Sequence, residues 1–164
     1  MTAKKAAPDT PQTVTERRAA DAETSALVAV HATAHIDVFD KARHWLQKRL
    51  PTAHEVVYEY RDAVVISYSP DGRGYEAALA LRAAANGVQL YFNHGKTLPD
   101  PARLLKGSGA QTRSIVVEGT STFANKDIAT LVDEAIARNP VPYPSDGRGA
   151  IVIRATTAQK KRTT

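Results

Sequence analysis

The sequence predicts a single α+β domain, in which a mainly antiparallel sheet of five to six strands is packed by a long N-terminal helix, a short helix and a second amphipathic helix. Three observations carry that prediction. Apolar residues recur at three- and four-residue spacing between Thr24 and Leu50 and again after Asn125, the periodicity of helices that bury one face. Between those stretches, short runs rich in Val, Ile, Tyr and Leu alternate with polar residues, which is the period of strands. The Asn86-Gly87 pair stands between two such runs, where it favours a two-residue hairpin turn.

In order along the chain, residues 1–22 are polar, Ala/Thr-rich and interrupted by Pro8 and Pro11. Such a stretch buries too little apolar surface to offset its ordering entropy, so it is expected to be a disordered tail. Residues 23–155 form the expected domain. Leu27, Val30, Ala34, Val38, Ala42, Trp45 and Leu46 line one face of a helix that Pro51 ends. The helix is long for a globular protein, so a bend is expected near Thr33 to Ile36. His54 to Arg61 sets Val56, Tyr58 and Tyr60 against Glu55, Glu59 and Arg61, a strand with one wet face. Ala63 to Ser69 is a second strand, closed by the Pro/Gly turn at 69–74.

Tyr75 to Ala85 is alanine-rich, which favours a helix, but the hairpin signal that follows it favours a strand paired with Val88 to Asn93. Asp100, Pro101 and Gly107 have the cap chemistry of a short helix. Thr112 to Glu118 is a further strand, Asn125 caps a helix striped by Ile128, Leu131, Val132, Ala135 and Ile136, and Ala150 to Arg154 is a last edge strand. Residues 156–164 are expected to be a basic disordered tail.

Of the formal charge of +5, +4 resides in residues 1–15 and 155–164, so the body is nearly neutral. Its Lys and Arg are interleaved with acids and form no basic face, so nucleic acid is not an expected partner. With no cysteine, disulfides, thiolate metal sites and thiol nucleophiles are excluded. No apolar run approaches the roughly 18 residues of a membrane span, and none resembles a secretory leader, so a cytoplasmic protein without membrane association is expected.

Between Phe39 and Arg138 the chain carries Leu50-Pro51-x-Ala53-x-Glu55, then Leu90-Tyr91-Phe92, then Leu98-x-Asp100-Pro101-x-x-Leu104-Leu105-x-Gly107-x-Gly109-x-x-x-Arg113. This pattern resembles the YdhG-like domain family, whose activity is not settled. The resemblance implies a bacterial α+β domain with helices packed on an antiparallel sheet. It also raises an iron-carrier role, since some members are described as frataxin-like iron chaperones. Where many relatives carry Lys after the second Gly, this chain has Ala110.

The residues themselves point to a binding module more than to an enzyme. Tyr91, His94, Lys106, Ser108 and Arg113 lie in or just before the block of strongest resemblance and are the candidate ligand-binding set, with Arg113 supplying a planar donor fork and Asp100 a candidate internal partner for it. No motif with a catalytic mechanism is present, so no catalytic residue, metal or cofactor is assigned. His31 and His35 have metal-ligand spacing but no third ligand, and are expected to be core or interface residues. Glu55 and Glu59 are expected on a solvated sheet face, too dispersed for iron. The expected function is that of a non-enzymatic YdhG-like module that binds a small ligand or a protein partner. The alternatives are an enzyme with a pocket at the His94 to Arg113 loop, or an iron carrier. Apolar residues near Val57, Val65 and Tyr91 exceed what one sheet and two helices cover, so a homodimer is also expected.

Overall fold

The structure is a computed structural model that describes residues 11–74, 76–154 and 156. Two helices lead the fold, α1 (Val14–His31) and α2 (Ile36–Arg49). They are separated by Ala32, at φ −135° and ψ 46°, and a 3-10 turn at Thr33–His35, so the bend falls where the helix length demanded one. α2 buries Phe39, Ala42, Arg43 and Leu46, whereas α1 buries only Thr24 and Val28.

The start of α1 corrects the expected boundary. Part of the stretch assigned to a disordered tail is helical, because Thr13 and Glu16 form a reciprocal capping box: the Glu16 N–H donates to Thr13 Oγ1 at 3.1 Å and the Thr13 N–H to Glu16 Oε2 at 3.3 Å. What docks this polar half is also polar. Gln12 exchanges two hydrogen bonds of 3.0 Å with the Ile151 backbone, and Arg17 Nη1 donates to Gly149 O at 2.7 Å. The remainder of the expected tails, residues 1–10 and 157–164, lies outside the described residues, while Thr156 is buried.

Six strands follow: β1 (His54–Glu59), β2 (Ala63–Ser69), β3 (Leu79–Ala84), β4 (Gly87–Phe92), β5 (Arg113–Val117) and β6 (Ile151–Arg154). Their order is β5-β4-β3-β2-β1-β6, antiparallel throughout except for the parallel β1/β6 pair. The alanine-rich stretch is therefore a strand from Leu79, with Tyr75 outside the described residues. Register aligns Ile153, Val57, Ile66, Leu81, Leu90 and Ile115 as one row across all six strands. The middle four of these are fully buried, each worth about 1.5–3 kcal/mol by apolar burial.

α3 (Thr120–Ala124) and α4 (Lys126–Ala137) complete the cover, with Ile128, Leu131, Val132 and Ala135 buried as the stripe required. Trp45 of α2 stacks on Phe123 of α3 at 4.4 Å between ring centroids, and the Arg49 guanidinium lies 4.3 Å over the Trp45 ring. No helix forms at Asp100–Gly107. Arg103 there has φ +54°, and the chain runs on extended so that Lys106 bridges Ser114 beside β5. Asp100 caps all the same, its carboxylate accepting from the Leu104 and Leu105 N–H groups at 2.9 Å each.

Candidate functional site

The candidate set at the His94 to Arg113 loop does not converge. Tyr91 and Arg113 belong to opposite faces of the sheet, because Tyr91 pairs with Ser114 and Phe92 with Arg113. Tyr91 Oη donates to Gln89 Oε1 at 3.1 Å. His94 lines a cavity of about 160 Å3 with Leu98, Ala135 and Arg138, whereas Lys106 borders an open groove along β5 with Leu104, Ile115 and Glu118. Ser108 is exposed. Arg113 turns inward on its own loop: Nη1 donates to Gly109 O at 2.7 Å and to Thr112 O at 2.8 Å, so its partner is not Asp100. Its stem lies against Gly95, where an added Cβ would meet Arg113 Cβ at 2.5 Å. Gly107, at φ +125°, supplies the left-handed conformation the loop needs.

The carboxylates of β1 also stand elsewhere than expected. Glu55 and Glu59 share the face of Val57, which lies under the helices, so both are buried rather than solvated. His31 Nε2 meets Glu59 Oε2 at 2.6 Å, while His35 Nε2 bonds Ala85 O at 3.1 Å, so the two histidines serve different partners. Among the described residues no three or more His, Asp or Glu are grouped to hold a metal ion. Of the residues expected to leave apolar surface bare, Val57 is fully buried, and Val65 and Tyr91 are half-buried.

Glu55 is the floor of a cleft between α1, α2, β1 and the loop before β6. Oε1 accepts from Arg43 Nη2 at 3.1 Å and Gln47 Nε2 at 2.9 Å, and Oε2 from Arg43 Nε at 2.9 Å and Tyr68 Oη at 3.1 Å. Arg43 Nη1 donates to Asp21 at 2.6 Å. Burial draws the Arg43 pKa down, but its ion pair with Glu55 more than offsets this, so the net shift is upward. Burial first, then the Glu55 charge, raises the Tyr68 phenol well above its usual 10.0. Tyr68 is therefore a fixed donor at neutral pH.

Above this floor opens a cavity of about 390 Å3, walled by Leu50, Pro51 and Ala53 and flanked by Arg17 and Arg148. A second cavity of about 290 Å3 adjoins it, sharing Arg17, Gln47 and Arg148 and adding Arg18 and Asp21. Burial, reinforced by the like charge of Arg148, lowers the Arg17 pKa. Arg148 is exposed and makes no hydrogen bond or ion pair within the described residues.

The loop that carries Arg148 is pinned at several points. Tyr143 Oη donates to Tyr68 O and accepts from the Ala78 N–H at 3.0 Å, and Thr52 Oγ1 donates to Pro144 O at 2.7 Å. Burial, tempered by the Ala78 bond, pushes the Tyr143 pKa to about 12. Gly149 presses on β1 so closely that a Cβ would fall 1.7 Å from Ala53 O. The adjoining Ala150 N–H donates to His54 Nδ1 at 2.9 Å.

No family model, curated protein or solved structure matches the chain. Among the described residues no helix is long and apolar enough to cross a membrane.

Proposed function

We propose that this chain is a YdhG-like α+β domain acting as a non-enzymatic binding module, and that its small ligand occupies the cleft between α1, α2 and the loop before β6. One observation carries the proposal. The guanidinium groups of Arg17 and Arg148, brought in by elements from opposite ends of the chain, flank one cavity over a buried polar floor. At about 390 Å3 that cavity falls in the range of small-molecule sites, roughly 300–1,000 Å3. It pairs an apolar wall with a few placed polar groups. Glu55 is saturated by four hydrogen bonds and Tyr68 is held protonated, so the floor orients a ligand and lacks a free general base.

Native mass spectrometry of protein purified without added ligand, followed by thermal-shift screening, tests this function. A ligand at about 100 times its Kd adds about 2.7 kcal/mol, which raises Tm by roughly 5–10 °C for a chain of this size. The protection is expected to be lost in Arg148→Ala and kept in Arg113→Ala; the opposite pattern would return the site to the His94 to Arg113 loop.

A further inference from the structure

We infer that the ligand of this cleft is a small organic oxyanion, a carboxylate or a phosphate monoester, with its charged head between Arg17 and Arg148 and its body on Leu50 and Pro51. This rests on the binding function proposed above and specifies the ligand's chemistry.

Charge at the cleft is partly spent and partly unspent. Two acids lie at the cleft, Glu55 and Asp21, and both already accept from Arg43. Three further arginines line the paired cavities, Arg17, Arg18 and Arg148. Arg17 gives Nη1 to Gly149 O, which fixes its head at the cavity, and its other donors have no partner within the described residues. Arg148 spends none. Arg17 and Arg148 line the same cavity, and the charges of Glu55 and Asp21 on Arg17 do not cancel those of Arg148 and Arg43; a bridging oxyanion converts that repulsion into charge-assisted hydrogen bonds from two planar forks. A cationic ligand would meet only saturated carboxylates and two like charges. A neutral ligand would leave the repulsion in place.

The wall of the site adds a consequence. The N-terminal half of α1 is held to the body by Gln12, Arg17 and Asp21, and α1 buries no side chain before Thr24. An anion bridging Arg17 to Arg148 therefore ties that half-helix to the loop before β6, and ordering of residues 14–22 should accompany binding.

The test is calorimetric titration of the full chain at neutral pH and low chloride with four probes that share a phenyl body: phenyl phosphate, benzoate, benzyl alcohol and benzylamine. The proteins are wild type, Arg148→Ala, Arg148→Lys and Arg113→Ala, each first checked for a wild-type melting transition or the loss of one. One or both anions should bind at least about tenfold more tightly than the neutral and cationic probes, their order naming phosphate or carboxylate. Arg148→Ala should weaken that binding by at least about tenfold, Arg148→Lys by less, and Arg113→Ala not at all. Amide exchange in residues 14–22 should slow in wild type on saturation. If benzyl alcohol or benzylamine binds as tightly as the anions and still depends on Arg148, the oxyanion class is overturned while the cleft stands. Anion binding that is unchanged in Arg148→Ala overturns both.

Discussion

Two parts of this molecule gather basic and polar side chains in a loop beside the sheet, and they use them in opposite ways. In the His94 to Arg113 loop the two side chains at its turns are spent on the loop's own backbone, Asp100 on the Leu104 and Leu105 N–H groups and Arg113 on the Gly109 and Thr112 carbonyls, while Lys96, Arg103 and Lys106 are exposed. In the cleft between α1 and β6 the floor is equally satisfied, but the rim is not, since Arg148 and most donors of Arg17 have no partner within the described residues. The first arrangement stabilises a chain path that lacks regular secondary structure. The second holds charges in place against mutual repulsion, which is a structural cost that a ligand can relieve.

The largest effect expected from perturbing this contrast lies under the cleft. Arg43→Ala strands Glu55 as a buried charge, with side-chain exposures of 6% for Arg43 and 4% for Glu55, and should cost about 3–5 kcal/mol in urea unfolding. Because the partners form one network, Arg43→Met combined with Glu55→Gln should lose less than the sum of the two single changes. Gly95→Ala comes next. Its Cβ meets Arg113 Cβ at 2.5 Å and Arg113 N at 3.1 Å, so overpacking should cost roughly 1–3 kcal/mol, with ligand affinity in the cleft unchanged. Arg113→Ala removes two hydrogen bonds to carbonyls at an exposed site, and should cost about 1 kcal/mol.

The smallest effect is one of pH. Burial, partly opposed by Asp71, lowers the His54 pKa from 6.5. A base with a lowered folded-state pKa stays neutral in the fold, so the unfolded chain takes up the proton first as pH falls. Its stabilising contribution is complete above 6.5 and declines below it, as protonation removes the Nδ1 acceptor of the Ala150 N–H. Stability measured from neutral to mildly acidic pH should fall through this window. His54→Asn, which keeps an acceptor that does not titrate, should flatten that segment of the profile.

How much of this was legible in the sequence follows from what each residue spends its interactions on. Helix stripes and the Asn86-Gly87 hairpin are local, so the bend at Thr33, the β3/β4 pair and the α4 face can all be read from spacing. The dry side of β1 cannot. Glu55 and Glu59 alternate as a wet face should, yet the helices cover that side because Arg43 and His31 arrive to meet them. Arg43 sits on the buried stripe of α2 beside Ala42 and Leu46, and a charge inside an apolar stripe was the available signal. Gln12, Arg17 and Arg148 gave no comparable signal, since their roles depend on the parallel pairing of β6 with β1, the least local contact in the sheet. Asp100 was legible as a cap, but Gly107 caps no helix: Arg103 at φ +54° makes the segment between them a loop, in which Gly107 supplies a left-handed turn at φ +125°.

On the proposed function, the ligand site lies at the α1/β6 cleft and not at the loop of strongest motif resemblance. Backbone amide shifts of uniformly labelled protein, followed by NMR during titration with phenyl phosphate, test it most directly. Saturable shifts are expected at Arg17, Gln47 and Gly147 to Gly149, with the His94 to Arg113 amides unmoved. Shifts concentrated between His94 and Arg113, with Arg17 and Arg148 silent, would contradict it.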